Sequence, residues 1–312
     1  MTISLRLAEK ETLSEGVAGL TLVPNGSSPL PQWTPGSHVD LHLPGGLVRQ
    51  YSLCGDPADD GTWRVAVLRE PAGRGGSAAV HELLAEGDEL TASEPRNHFP
   101  LEESDRYLFI AGGIGITPIL PMIAEAERRG RPWRLAYGGR TRESMAFLPE
   151  LSGYGDRVSV YPQDSSGLLD LDGLLGQPEA GTAVYCCGPA PLLDAVAERC
   201  ASWPAGALRT ERFTPLDGAA EAGGDAFEVE LSGSGQVVEV PAGESVLACL
   251  RKAGFEVLSS CEEGTCGTCE TPVAEGVPDH RDTVLTESER AAGDIMMVCV
   301  SRSRTPRLVL DL

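Results

Sequence analysis

The sequence predicts three successive domains of different fold class. An antiparallel β-barrel covers residues 1–103, a parallel-sheet α/β domain covers 104–213, and a small α+β domain covers 226–312 after a linker at 214–225. Three observations predict this. A chain of 312 residues is too long for one ordinary core. Near residue 104 its texture changes from short apolar runs broken by Gly and Pro to alternating strand and helix patterns. The run Pro215–Asp225 (PLDGAAEAGGD) is small, polar and without apolar periodicity, as linkers are.

The barrel rests on the runs Gly19–Pro24, His38–Leu43, Tyr51–Leu53, Arg64–Arg69 and Glu89–Ala92, each bounded by turn formers. In the α/β domain, a strand at Tyr107–Ala111 leads to a helix near Thr117–Arg129. A strand at Trp133–Tyr137 follows, and a strand at Thr182–Cys186 precedes a helix near Pro191–Ser202. The last domain opens with strands at Phe227–Leu231 and Gln236–Val240. A helix at Ser245–Ala253 is started by Pro241 and Gly243 and stopped by Gly254, and a strand closes the chain at Leu308–Leu310.

The composition, 41% hydrophobic and 23% charged, is that of a soluble globular protein. Its apolar runs, such as Tyr107–Ala111 and Met296–Val300, are far too short to span a bilayer. The N-terminus lacks the basic-then-apolar pattern of an export signal, so a cytoplasmic location is expected. A net charge of -21 argues against nucleic acid and suits docking on a basic protein surface, although it serves plain solubility equally well. Nine cysteines, an odd number, argue against a disulfide framework.

Four of those cysteines form a pattern, Cys261-x4-Cys266-x2-Cys269 with Cys299 further on. This is the spacing of plant-type [2Fe–2S] ligation. Thiolate-bound clusters carry negative charge, so the loop must turn backbone N–H groups toward sulfur. Gly264 and Gly267 permit those turns. Cys299 arrives from a separate apolar strand to close the fourth position. Zinc is the competing metal, but structural zinc favours two short ligand pairs, and Cys299 has no near partner.

Two further regions suit nucleotides. Ala111-Gly112-Gly113-Ile114-Gly115-Ile116-Thr117-Pro118 joins a strand to a helix, where a Gly-rich turn lets a pyrophosphate approach the backbone. Pro118 suits a first helical turn. The second strand ends in Tyr137-Gly138-Gly139-Arg140, with no acid to hold a ribose 2′-OH, so a standard dinucleotide dehydrogenase is disfavoured. Tyr185-Cys186-Cys187-Gly188-Pro189 is a second strand–turn–helix junction, which alone reads as a tight turn with a buried cysteine pair. In the barrel, Arg49-Gln50-Tyr51-Ser52 can serve a phosphate, a flat ring and a ring edge. Gly73-Arg74-Gly75-Gly76-Ser77 offers backbone donors, a hydroxyl and a guanidinium to an anion.

With these motifs in view, the chain resembles the phthalate dioxygenase reductase family of the ferredoxin–NADP reductase superfamily over essentially its whole length. The resemblance is carried by RQYSLC at Arg49–Cys54, GRGGS at Gly73–Ser77, PRNHFPL at Pro95–Leu101 and AGGIGITP at Ala111–Pro118. CCGP at Cys186–Pro189, ERF at Glu211–Phe213, CEEGTCGTC at Cys261–Cys269 and HRD at His280–Asp282 complete it. It implies a flavin barrel, a nicotinamide domain and a plant-type ferredoxin domain of the β-grasp type. It implies that Arg49, Gln50, Tyr51 and Ser52 line the flavin, with Ser52 near the reactive ring edge, and that Arg74, Gly75, Gly76 and Ser77 hold its phosphate. FMN is implied rather than FAD. Gly112, Gly113, Gly115, Thr117, Pro118, Arg140, Gly188 and Pro189 would line the nicotinamide nucleotide, with Cys187 close to the hydride path and Phe213 over the flavin ring. NADH is usual for the family, but Arg140 and Arg142 could meet a 2′-phosphate, which leaves NADPH open. His280, Arg281 and Asp282 would be structural.

The implied activity takes a hydride from the nicotinamide and delivers single electrons through the [2Fe–2S] cluster to a terminal oxygenase, with flavin as the two-to-one converter. The acceptor is expected to be a Rieske-type oxygenase; a cytochrome P450 is the alternative. A redox sensor using the same cofactors is an alternative of another class. From Thr214 onward, 18 acidic residues face 7 basic ones, so the ferredoxin domain is expected to meet a basic surface of its acceptor. A monomer is expected from three linked domains.

Overall fold

Thirteen residues, Thr2–Ser14, make up the opening strand β1, whose buried residues alternate with exposed ones. The computed structural model describes residues 2–216 and 223–312, so residues 217–222 of the expected linker lie outside the described residues. The chain divides into two units, one ending at Arg212 and the other starting at Phe213. Phe213 therefore begins the second unit rather than ending the α/β domain as expected.

The first unit opens with β1, β2 (Val17–Pro24), β3 (Ser37–Leu43), β4 (Leu47–Ser52), β5 (Trp63–Leu68), the helix α1 (Gly76–Glu82), β6 (Glu89–Ser93) and β7 (Arg96–Asn97). The strands pair antiparallel in the order β4-β3-β6-β1-β2-β5, with β7 on β3. A bridge between Leu53 and Val65 joins the two ends and closes the barrel. Period-two burial fills it: Leu5 and Leu7 from β1, Leu20 and Leu22 from β2, and Val39 and Leu41 from β3 share one core with Trp63 and Val65.

An α/β domain follows within the same unit. Its elements are β8 (Arg106–Gly112), α2 (Ile119–Arg128), β9 (Trp133–Gly139), α3 (Leu148–Ser152), β10 (Val158–Pro162), α4 (Gln163–Ser166), α5 (Leu171–Leu175), β11 (Thr182–Cys187), α6 (Ala190–Arg199) and β12 (Leu208–Glu211). All five strands are parallel, in the order β10-β9-β8-β11-β12. Tyr107, Phe109 and Ala111 of β8 pack with Ile119, Met122 and Ile123 of α2 on one face. Leu108 and Ile110 pack with Leu193 and Val196 of α6 on the other. The chain therefore changes faces between β8 and β11, and a crevice opens at such a switch point beyond the C-terminal strand ends.

Both helices begin later or end earlier than expected. A 3-10 turn, Gly113–Ile116, precedes α2, and Pro118 caps that helix instead of lying inside its first turn. The expected helix at Pro191–Ser202 is α6 followed by a 3-10 turn at Cys200–Ser202.

The second unit contains β13 (Phe227–Leu231), β14 (Val237–Val240), α7 (Val246–Lys252), β15 (Glu270–Glu275), β16 (Pro278–Asp279), α8 (Glu287–Ala292), β17 (Ile295–Met297), β18 (Arg302–Ser303) and β19 (Arg307–Leu310). Its mixed sheet has the order β14-β13-β19-β15-β17, with β13 and β19 parallel, and β16 and β18 form a separate pair. The sheet grips α7 through Val246, Leu247 and Leu250. Ser245 caps α7 by accepting the Ala248 N–H at 3.2 Å, as its position before the apolar run predicts. Among the described residues no helix is long and apolar enough to cross a membrane.

Candidate functional site

In the second unit, Cys261 is partly exposed, while Cys266, Cys269 and Cys299 are buried. Cys299 lies in a turn directly after β17, not on the strand itself. The thiols touch in sequence. Cys261 shares hydrogen bonds with Cys266 and Cys299, and Cys269 with Cys299. These contacts pull Cys261 and Cys269 below the ordinary thiol range and push Cys266 and Cys299 above it, because two of the crowded sulfurs keep the protons that the other two release. The contacts Cys266–Cys261, Cys261–Cys299 and Cys299–Cys269 gather the four thiols that a two-iron cluster takes as thiolates.

The loop is shaped to that end. The Glu263 N–H donates to the Cys261 sulfur and the Thr268 N–H to the Cys266 sulfur, both at 3.3 Å. Gly264 and Gly267 hold positive φ values of 72° and 73°, and Glu262, at 57°, does so without being glycine. A Cβ at Gly264 would meet Val300 Cγ2 at 2.5 Å and Asp282 Cα at 3.0 Å. The Thr283 N–H donates to the Gly264 carbonyl at 2.8 Å. Asp282, fully buried, accepts the N–H groups of Val284 and Leu285 at 3.0 and 2.8 Å. Asp282 and Thr283 thus clamp the back of the cysteine loop.

At the switch point of the first unit the two strand–turn junctions pack backbone to backbone. Ala111 of β8 lies in register with Cys187 of β11. A Cβ at Gly115 would meet the Cys187 carbonyl oxygen at 2.3 Å, and one at Gly188 would meet Gly112 Cα at 3.0 Å. Gly113 differs: it holds a φ of 55° over open space, the vacancy a phosphate needs beside backbone N–H groups. Pro189 caps α6. Thr117 is buried, and its hydroxyl donates to the Ile114 carbonyl at 3.0 Å, tightening the 3-10 turn.

Cys187 has a neighbour that the sequence does not announce. Glu211 ends β12 in register with it, and the Cys187 Sγ lies 3.9 Å from Glu211 Oε2. Burial pushes the Glu211 carboxyl up to about 8. Burial, and then Glu211 itself, pushes the Cys187 thiol well above its ordinary range. Both groups are therefore protonated at neutral pH. Glu211 belongs to the ERF run, but its pairing with Cys187 rests on a short edge strand with little apolar pattern. Arg140 follows directly on β9 and is exposed.

In the barrel, Arg49 of β4 lies across the start of α1, where a Cβ at Gly76 would meet Arg49 Cγ at 2.4 Å. Its guanidinium donates to the carbonyls of Arg74 at 2.7 Å and Val48 at 2.8 Å, which leaves further N–H donors for a ligand. Ser77 accepts the Glu70 N–H at 3.0 Å, and Gly75 turns with a φ of 81°. Arg49, Arg74, Gly75, Gly76 and Ser77 are thus one cluster, whose cationic side chains and small backbone fit a flavin phosphate. Tyr51 shares the strand face of Arg49, and burial raises its phenol despite that neighbour. Gln50 projects to the other face, where its amide donates to Asp40 at 2.9 Å beside Arg96. Ser52 is buried at the strand end, and Phe213 is exposed.

Known proteins resemble this chain in sequence and in fold. A family described as 2Fe-2S iron-sulfur cluster binding domain matches residues 229–304. The chain is 44% identical over 279 residues to phenoxybenzoate dioxygenase subunit beta of Ectopseudomonas oleovorans, covering 89% of this chain and 87% of that one. It is 38% identical to phthalate dioxygenase reductase of Burkholderia cepacia, covering 99% of this chain and 97% of that one. A solved phthalate dioxygenase reductase structure superposes with a TM-score of 0.74 at 38% identity, over 100% of this chain and 98% of that one. An intact type IV self-sufficient cytochrome P450 monooxygenase gives a TM-score of 0.93 at 44% identity over all of this chain, which spans only 41% of that chain.

Proposed function

The chain belongs to the phthalate dioxygenase reductase family, and from that premise we propose that it carries electrons from a nicotinamide nucleotide to a Rieske-type terminal oxygenase. It is an oxidoreductase component of an oxygenase system, with FMN, a [2Fe–2S] cluster and NAD(P)H as its redox groups. The observation that carries the reading is the row of four touching thiols in one chain with an open Gly-rich crevice. When bound, a flavin takes up two electrons together and gives them out singly, while an iron–sulfur cluster carries one at a time.

The protein's own part is to bind, orient and exclude water. Arg49, Arg74 and Ser77 would hold the flavin phosphate, with Gly75 and Gly76 allowing close approach. Tyr51 would flank the ring and Ser52 its reactive edge. Gly113 leaves room for the nucleotide phosphates, and Gly112, Gly115 and Gly188 keep the crevice floor thin. The neutral thiol of Cys187 and the neutral carboxyl of Glu211 put no negative charge at the crevice end. Cys261, Cys266, Cys269 and Cys299 would bind the cluster, with the Glu263 and Thr268 N–H groups moderating its charge.

Close to the partly exposed Cys261 in the chain, Leu258 stands 81% exposed between the exposed Glu256 and Glu262, the latter paired with Arg251 at 2.7 Å. An apolar anchor in a segment with 18 acidic residues against 7 basic ones suits an acceptor with a basic surface. The proposal includes a cytoplasmic, monomeric protein.

The test is anaerobic titration with NADH and NADPH, followed by absorbance and EPR and then by addition of purified acceptors. Flavin bleaching with a reduced [2Fe–2S] signal, discharged by a Rieske oxygenase, is expected. Bleaching without that signal, in protein shown to hold iron and sulfide, would favour a redox sensor instead. The likeness to the reductase portion of a self-sufficient P450 supports a second reading, in which the acceptor is a P450 haem; discharge by a P450 and not by a Rieske oxygenase would select it.

A further inference from the structure

We propose that the α/β domain holds a second binding site, at the opposite end of its sheet from the crevice, for a small aromatic carboxylate bearing a further oxygen. The site uses none of the residues assigned above to flavin, nicotinamide nucleotide or cluster.

The starts of three neighbouring strands build it. Thr182 of β11 pairs in register with Arg106 of β8, and Leu108 of β8 pairs with Arg134 of β9. Strand alternation puts these four residues on one face of the sheet. It is the α6 face, where Leu108 shares a core with Trp203 and, at its margin, Leu174 of α5. A cleft of 360 Å³ opens there, within the range of roughly 300–1,000 Å³ common to small-molecule sites. The crevice lies beyond the other ends of β8 and β11. The seven residues of β8 separate the two places, roughly 20 Å at the rise of a strand.

Two exposed guanidiniums stand at its rim. Arg106 and Arg134 share one carboxylate, Glu179, at 3.5 and 3.3 Å. Other arginines of the domain hold theirs far closer: Arg128 and Arg129 reach Glu125 at 2.6 Å, and Arg199 reaches Asp172 at 2.7 Å. A guanidinium has five N–H donors, and among the described residues Arg106 and Arg134 each commit one, at long range. Among the lining residues two positive charges thus face one negative. Asp105, the next acid, lies beside Gly181 and does not line the cleft. Spare donors in a planar fork match a carboxylate.

The interior is apolar and aromatic. Tyr107, Trp133 and Trp203 line it together with Leu108 and Leu174. Their polar hydrogens are all engaged elsewhere. Tyr107 donates to the Glu102 carbonyl at 2.8 Å, Trp133 to Glu127 at 2.6 Å, and Trp203 to the Leu175 carbonyl at 2.9 Å. The rings therefore offer the cleft only carbon, against which a flat aromatic body packs well. Thr182 is the exception. It is 8% exposed, and its buried hydroxyl has no hydrogen-bond partner among the described residues. Buried hydroxyls are seldom left so. An aromatic body with a carboxylate for the arginines and a second oxygen for Thr182 satisfies all three features. Inorganic phosphate satisfies only the first of these.

The test is calorimetric titration of the flavin- and cluster-loaded protein with 3- and 4-hydroxybenzoate, benzoate and inorganic phosphate. At least one hydroxybenzoate is expected to bind saturably, with the same affinity when NAD+ is present in excess, as two separate places require. Arg106→Ala and Arg134→Ala should each weaken it about tenfold or more, the effect of a lost charged hydrogen bond. Thr182→Val should weaken it about fivefold and leave benzoate unchanged, since only the neutral hydrogen bond is lost. Glu179→Gln should tighten binding, because the competing carboxylate is gone, and a misfolded variant would not give that gain. Absence of saturable binding would overturn the proposal. So would displacement by NAD+, which would put the ligand in the crevice, or an affinity that none of the four substitutions moves. Phosphate bound as tightly as the hydroxybenzoate would overturn the aromatic assignment.

Discussion

Replacing Gly264 by alanine puts a methyl group where the cysteine loop meets its clamp. Two costs can be worked from the structure. The position holds a φ of 72°, a left-handed conformation that costs an L residue about 1–2 kcal/mol. The new Cβ would also lie 2.5 Å from Val300 Cγ2 and 3.0 Å from Asp282 Cα. Overpacking of that kind costs about 1–3 kcal/mol, and the backbone atom of Asp282 cannot swing aside as a side-chain end does. Gly254→Ala is the control. It lies in the same unit with a φ of 90°, but no atom stands within 4 Å of its Cβ. Both substitutions stiffen the unfolded chain alike, so that contribution cancels between them. Gly264→Ala should therefore be the less stable of the two by about 1–3 kcal/mol. It should also be purified with less iron and sulfide, because the loop must shift Cys261 and Cys266 to relieve the contact. The assay is iron and acid-labile sulfide content, together with loss of cluster absorbance in a denaturant series. Equal iron content and equal midpoints for the two variants would refute the claim that close packing at Gly264 shapes the cluster loop.

Four further outcomes are expected. Cys299→Ser should lose the [2Fe–2S] EPR signal while the flavin absorbance persists, since the two sites lie in different units; retention of a wild-type signal would remove Cys299 from the ligand set. Glu211 keeps its proton in the folded state up to about pH 8, whereas the unfolded carboxyl ionises near its ordinary value of 4.5, so its contribution to stability should fall as pH rises between those values. Glu211→Gln should flatten the fall, and thermal unfolding across that window with an unchanged slope would contradict it. Ser52→Ala should slow flavin reduction in stopped-flow mixing with the nicotinamide nucleotide, and an unchanged rate would count against a place at the ring edge. Acceptor reduction should weaken with added salt, and Leu258→Lys should slow it further without changing flavin reduction; a rate indifferent to both would dismiss the acidic docking face.

The fold class is legible because each layer has its own period. Leu5 and Leu7, or Leu20 and Leu22, alternate with polar neighbours in the barrel, while β8 reads as a continuous apolar run because both its faces are covered. The edges of the sheets are harder. β12 carries Arg209 and Glu211 and is only half buried, so nothing in its pattern marks a strand. Glu211 stands in the ERF run without a legible role for that reason: its place depends on a register with Cys187 that only pairing through space creates. Cys261, Cys266 and Cys269 stand out by their spacing along one loop, whereas only the fold brings Cys299 against Cys261 and Cys269. Gln50 shows the opposite case. Its neighbours in RQYS suggest a shared ligand, but strand alternation turns it to Asp40.

The pair Cys186–Cys187 shows how far a motif and a fold each carry an argument. In sequence the two are equivalent, and a buried pair is all that the dipeptide announces. In the sheet, Cys186 joins Leu108, Ile110 and Val196 on the α6 face. Cys187 joins Phe109 and Ala111 on the α2 face. Burial raises both thiols, Cys186 to about 12, so an unaided thiolate is not what distinguishes them. Position does. The Cys187 carbonyl is the atom that forbids a side chain at Gly115, and its thiol is the one beside Glu211 at the strand ends. Cys186 is thus a small apolar filler and Cys187 part of the crevice floor. The difference follows from strand parity and from the change of helix face at the switch point rather than from any property of cysteine itself.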